Sequence, residues 1–326
     1  MREMLSVIVP TYNRLHLLRG ALDSLMEQDV KSDMAYQIVV VDNGSTDGTR
    51  DFVKDLARTA PVPVCYLVEP IQGYPHALNR GVKEASGEWI ALFDDDQLAQ
   101  PNWLAELLYV ARTKDAAIVG GSIKLQFEGD DTIKLGATCR SILGEKPLSG
   151  RPAKCVGNAI PSGGNVLINR VVFDSVGLFD EQLTSGGCDS ELILRARNTG
   201  LSVWVAPAAV VSHRISRLRV SRQYLRWVSL RWGRNFAVFD LKMRGRAWML
   251  CLSFARVIQA VCLTFPRFVL AAAADDGIRS LDCQLIFWRT LAYVRSTAYS
   301  VCPLVFPQEE FFSRLDFRKG RDLERE

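Results

Sequence analysis

Four apolar runs, each followed by a short polar cluster, constrain the fold of this 326-residue chain more than any other feature. The runs are short and mostly rich in β-branched residues, which indicates buried strands, and they span residues 5–9, 37–41, 62–68 and 88–93. Segments with leucines at helical spacing, such as residues 14–27, lie between them. This alternation predicts an α/β fold with a parallel sheet and right-handed crossovers.

Polar residues stand where the predicted strands end. They form the clusters Thr11–Asn13, Asp42–Asp47 and Asp94–Asp96. The carboxyl ends of parallel strands meet at one edge of a sheet, where ligands bind in open α/β folds. We therefore expect the three clusters to share one crevice. In the second cluster, Ser45 and Thr46 are also expected to cap a helix over 47–58.

Three adjacent carboxylates follow the buried run WIALF: Asp94, Asp95 and Asp96. Such charges repel one another unless a cation or hydrogen bonds offset them. Mg²⁺ and Mn²⁺ prefer oxygen ligands, and Mg²⁺ in particular takes one or two carboxylates together with substrate phosphates. A solvated acidic loop is the alternative. The position at a strand end favours a divalent metal and diphosphate site.

In chain order, VIVPTYNR, VVVDNGSTDGT, ALNRGVKEASGEWIALFDDD and GLFDE followed by GCDSELILRA resemble glycosyltransferase family 2. The resemblance covers about residues 4–213 and implies a GT-A fold, which is a Rossmann-like, mostly parallel sheet flanked by helices. It implies inverting transfer of a sugar from a nucleotide-sugar, usually a UDP-sugar, to an acceptor hydroxyl. The expected acceptor is a saccharide or lipid-linked glycan of bacterial exopolysaccharide or lipopolysaccharide synthesis.

The resemblance also implies roles for single residues. The nucleotide pocket would be lined by Pro10, Thr11, Tyr12, Arg14, Asp42, Asn79, Asp94 and Asp95. Asp42 would read the base, and Asp94 would lie near the ribose. Asp96 and His213 would hold Mg²⁺ or Mn²⁺, although a lone histidine is often structural. Asp189 would be the catalytic base that takes the acceptor proton, and a simple helix N-cap is its alternative role.

The acceptor side departs from the family pattern. The family's Glu-Asp pair corresponds here to Cys188 and Asp189, so the glutamate is missing and Glu191 is the nearest other carboxylate. The predicted acceptor-side residues in this half are Gly163, Gly164, Asn165, Cys188 and Glu191. The Gly-Gly-Asn segment fits a plain turn equally well. A further departure is Leu78, which stands where the family often has arginine.

Residues 223–227 read Gln-Tyr-Leu-Arg-Trp and resemble the Q-x-x-R-W motif of processive polysaccharide synthases. In that motif Gln223 and Arg226 would hold the diphosphate, and Trp227 would stack on the acceptor sugar. An amphipathic basic helix over 218–234 explains the same residues. We expect transfer of a single sugar. The alternatives are a subunit of a processive synthase and a catalytically silent nucleotide-binding member of the family.

The last third of the chain is basic and apolar. Asp240 is the only acid between Arg214 and Arg256, which favours an anionic surface. Net charge over the whole chain is only +4, so nucleic acid is not an expected partner. The apolar stretches 247–274 and 285–306 contain arginines, and the first also contains Pro266. They therefore predict helices lying in a membrane interface, or a helical appendage packed on the catalytic domain.

These observations predict three regions. Residues 1–213 would be the catalytic domain, residues 214–307 a helical region that associates with the membrane surface, and residues 308–326 a charged tail. The eight cysteines show no C-x-x-C spacing, which indicates a reducing compartment. The expected location is the cytoplasmic face of the inner membrane.

Overall fold

The computed structural model describes residues 3–30, 34–129, 133–157, 159–184 and 186–306. Its chain divides into two compact units. The first unit is Met1–Lys124 with Lys146–Arg214, and the second is Leu125–Glu145 with Ile215–Glu326. The charged tail predicted for residues 308–326 lies outside the described residues.

The described strands alternate with helices in the first half of the chain, as the sequence predicts. The strands are β1 (Glu3–Thr11), β2 (Met34–Asp42), β3 (Val64–Val68), β4 (Trp89–Phe93), β5 (Gln97–Ala99), β6 (Ile118–Phe127), β7 (Ala153–Lys154), β8 (Asn165–Asn169) and β9 (Val203–Ile215). The first helices are α1 (Leu15–Met26), α2 (Thr49–Thr59), α3 (Tyr74–Glu84), α4 (Trp103–Thr113), α5 (Ala137–Ile142), α6 (Arg170–Val176) and α7 (Cys188–Asn198).

The described strands form one mixed sheet in the order β3-β2-β1-β4-β8-β6-β9-β5, with β7 beside β9. β1 pairs in parallel with β2 and β4, and β2 pairs in parallel with β3. These pairings confirm the parallel order predicted for the first four strands. β8 pairs antiparallel with β4 and β6, and β9 pairs antiparallel with β5 and β7, so the sheet is less parallel than the sequence suggested.

Successive residues of each strand point to opposite sides of the sheet. Both faces of the sheet are covered, and each face has its own apolar core. In β1, Val7 and Val9 face a core that includes Leu18 and Leu22 of α1. Ile8 faces the other core, with Leu78 of α3. Leu78, the departure from the family's arginine, is therefore a core residue and is fully buried.

The predicted cap of α2 is wrong. Gly48, with φ 85°, stands at the N-cap position, and the helix has no side-chain cap. Ser45 instead accepts a hydrogen bond from the Asn13 backbone at 2.8 Å, and the Thr46 backbone donates to the Asn13 side chain at 2.7 Å. The polar residues after β2 therefore tie this loop to the end of β1.

In the second unit, four further helices follow a 3-10 turn (Arg217–Val220). They are α8 (Arg222–Arg244), α9 (Arg246–Gln259), α10 (Phe265–Ala273) and α11 (Gly277–Val301). A π-helical turn (Ala260–Thr264) joins α9 to α10 without a break. Within this unit, Asp282 of α11 accepts hydrogen bonds from the backbone of Thr138 and Cys139 at the start of α5.

Arg246–Ala273 is continuous helix, although arginines and Pro266 interrupt its apolar sequence. Pro266 stands in the first turn of α10, directly after the π-helical turn. Proline cannot donate a backbone hydrogen bond, and the wider turn before it accommodates the missing bond. Within the described residues, this 28-residue segment alone has the length and mean hydropathy, 1.7, of a membrane span. These are criteria of length and composition only.

Candidate active site

The ends of β1 and β2 lie side by side in the first unit. Pro10 and Thr11 pair with Val41 and Asp42. Asp42 is buried, with its two carboxylate oxygens accepting from the Tyr66 hydroxyl at 2.6 Å and the Ser45 backbone at 2.7 Å. These contacts hold the Asp42 carboxylate in one orientation at the sheet edge. The nearby Tyr12 side chain is partly exposed.

The next residue, Asn43, organises the loop after β3. Its amide donates to the carbonyls of Glu69 and Ile71, both at 2.8 Å, and its side-chain oxygen accepts from the Gly73 backbone at 2.8 Å. Gly73 has φ 149° and precedes α3 directly. The loop before α3 is thereby fixed to the carboxyl end of β2.

Asp95 and Asp96 follow β4 and are both about 5% exposed. The Arg14 guanidinium bridges them, with Nη1 3.0 Å from an oxygen of each. The Thr11 hydroxyl donates to Asp95 at 2.8 Å. The first and third polar clusters thus meet, as predicted, and one arginine offsets part of their charge.

His213 approaches the same group from β9. Its Nε2 lies 3.3 Å from Oδ2 of Asp96. The backbone places it there, because β5 pairs antiparallel with β9 and sets Gln97 opposite His213. The structure therefore brings together the two residues predicted to hold the metal.

The neighbouring carboxylates of Asp94, Asp95 and Asp96 repel one another. Burial and the neighbouring charges of Asp96 and Asp95 raise the pKa of Asp94 to about 7. A divalent cation would relieve this repulsion, and carboxylate oxygens with an imidazole suit Mn²⁺. In the part of the chain that the structure describes, no three His, Cys, Asp or Glu side chains form a complete metal site. The arrangement fits an ion that takes its remaining ligands from a bound diphosphate.

Gly163 and Gly164 connect the metal side of the site to the predicted base. A Cβ added to Gly163 would lie 2.3 Å from Oδ2 of Asp189, and one added to Gly164 would lie 2.0 Å from Oδ2 of Asp94. Consecutive residues therefore touch the two carboxylates. Side chains at these positions would displace one carboxylate or the other, so the pair is more than a plain turn.

Asp189 lies in the first turn of α7. Burial raises the pKa of its carboxyl, while hydrogen bonds from the backbone of Ser190, Asp189 itself and Gly163, and the charge of Lys146, act in the opposite direction. A carboxylate of raised pKa that accepts hydrogen bonds is suited to take a proton near neutral pH.

Tyr74, at the start of α3, lies near both Asp94 and Asp189, and sequence reasoning missed it. Its hydroxyl donates to Oδ1 of Asp94 at 3.0 Å. The charges of both Asp94 and Asp189, together with burial, raise the pKa of the Tyr74 hydroxyl. The sequence signal that would have identified it is a tyrosine just after the loop that follows β3. This position lies at the edge of the sheet where a ligand was predicted to bind.

Three predicted site residues are structural instead. Asn79 is buried and exchanges hydrogen bonds with the backbone of Phe179, both at 2.9 Å, so its amide is not available to a nucleotide. Asn165 is fully buried, accepting from the Trp103 indole at 2.7 Å and donating to the Ser122 and Ala209 carbonyls. Cys188 is fully buried in the core and cannot contact an acceptor.

The remaining acceptor-side candidates divide between the two units. Glu191 is 5% exposed and forms a two-point ion pair with Arg195, both contacts at 2.9 Å, which leaves Asp189 as the better base. Gln223, Arg226 and Trp227 lie on α8 in the second unit. Gln223 and Arg226 are exposed there, and their role stays a prediction.

The fold has close counterparts among solved structures. A mannosyltransferase from Pyrobaculum calidifontis, PcManGT, solved with GDP-Man and Mn²⁺, matches with a TM-score of 0.62. The match is 21% identical and covers 91% of this chain and 87% of that one. At this identity the likeness shows the fold alone, which is the GT-A fold of glycosyltransferases.

The sequence comparisons go further. A model described as glycosyl transferase family 2 matches residues 6–177. The chain belongs to glycosyltransferase family 2.

Two relatives illustrate the range of this family. The succinoglycan biosynthesis protein ExoM of Rhizobium meliloti is 25% identical over 83% of this chain and 90% of its own length. The glycosyltransferase AglE of Haloferax volcanii is 26% identical over 64% of this chain and 66% of its own length. An uncharacterized glycosyltransferase of Nostoc is 34% identical, but the match spans only 41% of each chain. For several curated relatives the match thus spans less than two thirds of their length.

Proposed function

We propose that this protein catalyses metal-dependent, inverting transfer of a sugar from a nucleotide-sugar, with a UDP-sugar preferred. The acceptor is a hydroxyl of a membrane-bound saccharide or lipid-linked glycan in cell-surface polysaccharide synthesis. One observation carries the proposal: adjacent glycines, Gly163 and Gly164, touch the carboxylates of Asp189 and Asp94. The proposed catalytic base and the donor site therefore face the same small space. Attack of an acceptor on a bound sugar requires this proximity.

The residues divide the work of the transfer. Asp189 accepts the proton of the acceptor hydroxyl as the oxygen attacks the anomeric carbon on the face opposite the diphosphate. Its place in the first turn of α7 favours the ionised form that this role requires. Tyr74 holds Asp94 in place through its hydroxyl, and Asp94 then contacts the ribose.

Asp96 and His213 would hold Mg²⁺ or Mn²⁺ at the donor diphosphate. When bound, the ion neutralises the charge that develops on the leaving nucleoside diphosphate. Arg14 keeps Asp96 and Asp95 together through its bridging contacts at 3.0 Å. Asp95 is thereby held by the protein, and Asp96 is oriented toward the imidazole of His213.

The nucleotide base would lie at the ends of β1 and β2, beside Asp42. Tyr66 and the Ser45 backbone orient the Asp42 carboxylate. In this orientation the carboxylate suits a hydrogen bond from an N–H group of the nucleotide base, such as that of uracil. Family membership and this geometry favour UDP-sugars, while the structural neighbour carries GDP-Man in its complex. Which nucleotide base the donor carries is therefore the first thing to test.

Location at a membrane is supported by the second unit. The helical segment Arg246–Ala273 exposes large apolar side chains, among them Phe254 at 69% and Leu270 at 70%. Arg246, at its start, and the neighbouring Arg244 can contact anionic headgroups. Peripheral association with the cytoplasmic face of the inner membrane would bring the protein to a lipid-anchored acceptor.

A thermal-shift screen of UDP- and GDP-sugars, with and without Mn²⁺ or Mg²⁺, tests the donor assignment. A bound donor raises Tm by an amount that grows with the logarithm of its concentration divided by its Kd. We expect a UDP-sugar with the metal to give the largest rise, and Asp96→Asn to lose the metal-dependent part. Asp174→Asn, an exposed aspartate on α6, is the matched control. No rise with any nucleotide-sugar would contradict the proposal.

A silent nucleotide-binding role is the second candidate, because a cysteine replaces the family's glutamate before Asp189. Burial of Cys188 in the core means that this position supplies no group to an acceptor. In the silent case, donors would still raise Tm, but Asp189→Asn would leave cell-surface glycan unchanged. Loss of glycan in that variant would exclude the silent role.

A further inference from the structure

Gln97 is the first residue of β5, directly after the three aspartates, and the transfer as described gives it no role. The residue is 2% exposed. Its amide oxygen, Oε1, is buried and has no hydrogen-bond partner within the described residues. A buried polar atom that lacks a partner costs free energy, so protein interiors seldom contain one. Beside a ligand site, such an atom indicates a group that a ligand completes.

A second buried glutamine of the first unit shows how the fold usually satisfies an amide. Gln28 is 8% exposed, and its Nε2 donates to the carbonyls of Ser24 and Gln100, both at 2.9 Å. Its Oε1 accepts from the Leu104 backbone at 3.1 Å. Both ends of the Gln28 amide are therefore bonded to protein, whereas the oxygen of Gln97 meets no donor in the part of the chain that the structure describes.

The side chain of Gln97 points to the ligand side of β5. The next residue, Leu98, faces α1, because its Cδ2 lies 3.4 Å from the position of a Cβ on Gly20. Successive residues of a strand point to opposite sides, so Gln97 points away from α1. There its Nε2 lies 2.8 Å from the position that a Cβ on Gly164 would take.

Asp94 converges on the same position beside Gly164, with Oδ2 2.0 Å from it. The backbone at this point is fixed, because the next residue, Asn165, accepts from the Trp103 indole at 2.7 Å. The Gln97 amide therefore lies beside the carboxylate that we assign to the donor. It is also one residue along the backbone from Gly163, which touches the proposed catalytic base.

An amide in this place suits the hydroxyl groups of a sugar. It offers an acceptor oxygen and two N–H donors, so it can bind neighbouring hydroxyls of one ring. The ionised phosphates of a nucleotide-sugar accept hydrogen bonds but have no proton to give to Oε1. The nucleotide base is expected at the ends of β1 and β2, whereas β5 pairs with β9. A hydroxyl of the transferred sugar is the donor-site group that fits best.

We propose that Gln97 determines which sugar is transferred: its amide binds a hydroxyl of that sugar, and this hydroxyl supplies the hydrogen bond that Oε1 lacks. The inference rests on the proposed function, in which a nucleotide-sugar binds at Asp94 and Asp96. Gln97 takes no part in proton transfer. It favours sugars that have a hydroxyl on the side facing β5.

Calorimetric titration with Mn²⁺ tests the contact by comparing two ligands, UDP and UDP-glucose, or the nucleotide-sugar that raises Tm most and its nucleoside diphosphate. Gln97→Met keeps the length of the side chain and removes both polar groups. We expect the variant to bind the nucleotide-sugar on the order of 10-fold more weakly, because a buried sugar hydroxyl loses its partner. The Kd of the nucleoside diphosphate should be unchanged, since this ligand has the ribose and phosphates but no transferred sugar.

The Tm of the ligand-free protein is a readout that separates this role from a structural one. Gln97→Met removes a buried atom without a partner, so Tm should be unchanged or higher. Gln28→Met is the matched control: it should lower Tm, because the Leu104 N–H and the Gln100 carbonyl lose their partner, and it should keep the wild-type ratio of the two Kd values. If Gln97→Met lowers Tm, Gln97→Leu takes its place in the titration, and a lower Tm in both variants overturns the proposal.

The two proposals fail in distinguishable ways. Equal weakening of the nucleotide-sugar and the nucleoside diphosphate would place Gln97 at the ribose, the diphosphate or the metal, and would overturn the inference. Unchanged Kd values for both ligands would overturn it as well. In either case the wild type still binds a nucleotide-sugar, so the proposed function stands. A wild type that binds no nucleotide-sugar would contradict the proposed function itself.

Discussion

Single residues in this site are arranged for chemistry at some expense to stability. Asp189 is partly buried, and burial raises the pKa of its carboxyl above the value in an unfolded chain. A raised pKa means that the folded protein binds this proton more tightly than the unfolded chain does. Stability from this group is therefore highest at acid pH and falls as pH rises through the folded pKa.

Asp189→Asn should accordingly stabilise the fold at neutral pH. The amide keeps the shape of the side chain and removes a charge that burial disfavours. We expect a higher Tm for the variant than for the wild type at pH 8. The gain should shrink as pH falls, because the wild-type Asp189 then becomes protonated. A lower Tm for the variant at pH 8 would show that its backbone hydrogen bonds outweigh the burial penalty.

Gly163 and Gly164 are required for a steric reason that single-residue variants can test. Gly163→Ala or Gly164→Ala would place a methyl group 2.3 Å or 2.0 Å from a carboxylate oxygen. A displacement of about 1 Å in a reacting group costs on the order of 100-fold in rate, and we expect such losses in sugar transfer for both variants. Gly277→Ala, where no atom lies within 4 Å of the added Cβ, should retain full activity.

The sequence predicts the polar groups of the site better than their partners. The aspartates after β4 and the histidine of β9 lie together as expected. Asn79, Asn165 and Cys188 are buried among protein contacts instead of facing the site, because motif position does not reveal which way a side chain points. Tyr74 was missed for a related reason: its contact with Asp94 depends on long-range packing.

Among secondary elements, the first four strands and the helices between them follow from residue periodicity alone. The runs of β1, β2 and β4 are largely buried, so local hydrophobicity and tertiary position agree there. β3 lies at the edge of the sheet and is partly exposed. The second half of the sheet contains antiparallel pairs, and its order β8-β6-β9-β5 depends on pairings between distant segments. No local pattern encodes such pairings, which is why the sequence predicted a mostly parallel sheet.

The helical segment Arg246–Ala273 is continuous even though Pro266 and Arg256 interrupt its apolar sequence. A π-helical turn accommodates the proline, and the helix continues. Arg256 lies over the rings of Tyr293 and Phe236 in the second unit, 4.3 Å and 5.7 Å from their centroids. Aromatic partners thus stabilise a charge that the sequence alone placed in an apolar stretch.

The exposed apolar face of this segment should bind anionic lipid. Phe254→Ser with Leu270→Ser removes two side chains that are 69% and 70% exposed. Burying one such side chain is worth roughly 1.5–3 kcal/mol, so the double variant should bind phosphatidylglycerol vesicles at least about 10-fold more weakly in a flotation assay. Val156→Ser, at a 72% exposed site of the first unit, is the control. Unchanged flotation of the double variant would contradict membrane association through this face.

At the scale of the whole molecule, catalysis and acceptor delivery are expected from different units. The first unit contains every residue that the transfer requires in our account, from Thr11 to His213. The second unit contains the basic and apolar helices, including Gln223, Arg226 and Trp227. The amino-acid sequence already predicts this contrast, because basic and apolar residues are concentrated after residue 213.

The most direct test of the central claim separates donor binding from transfer in one pair of variants. Release of nucleoside diphosphate and the donor-induced rise in Tm are measured with Mn²⁺ for the wild type, Asp189→Asn and Asp96→Asn. A lost catalytic base typically costs about 100- to 10,000-fold in rate.

We predict that Asp189→Asn retains the rise in Tm with Mn²⁺ and donor, but that its rate of nucleoside diphosphate release falls by that factor. Asp96→Asn is expected to lose both the release and the Mn²⁺-dependent rise in Tm. Wild-type rates of release from Asp189→Asn, with its donor binding intact, would contradict the account.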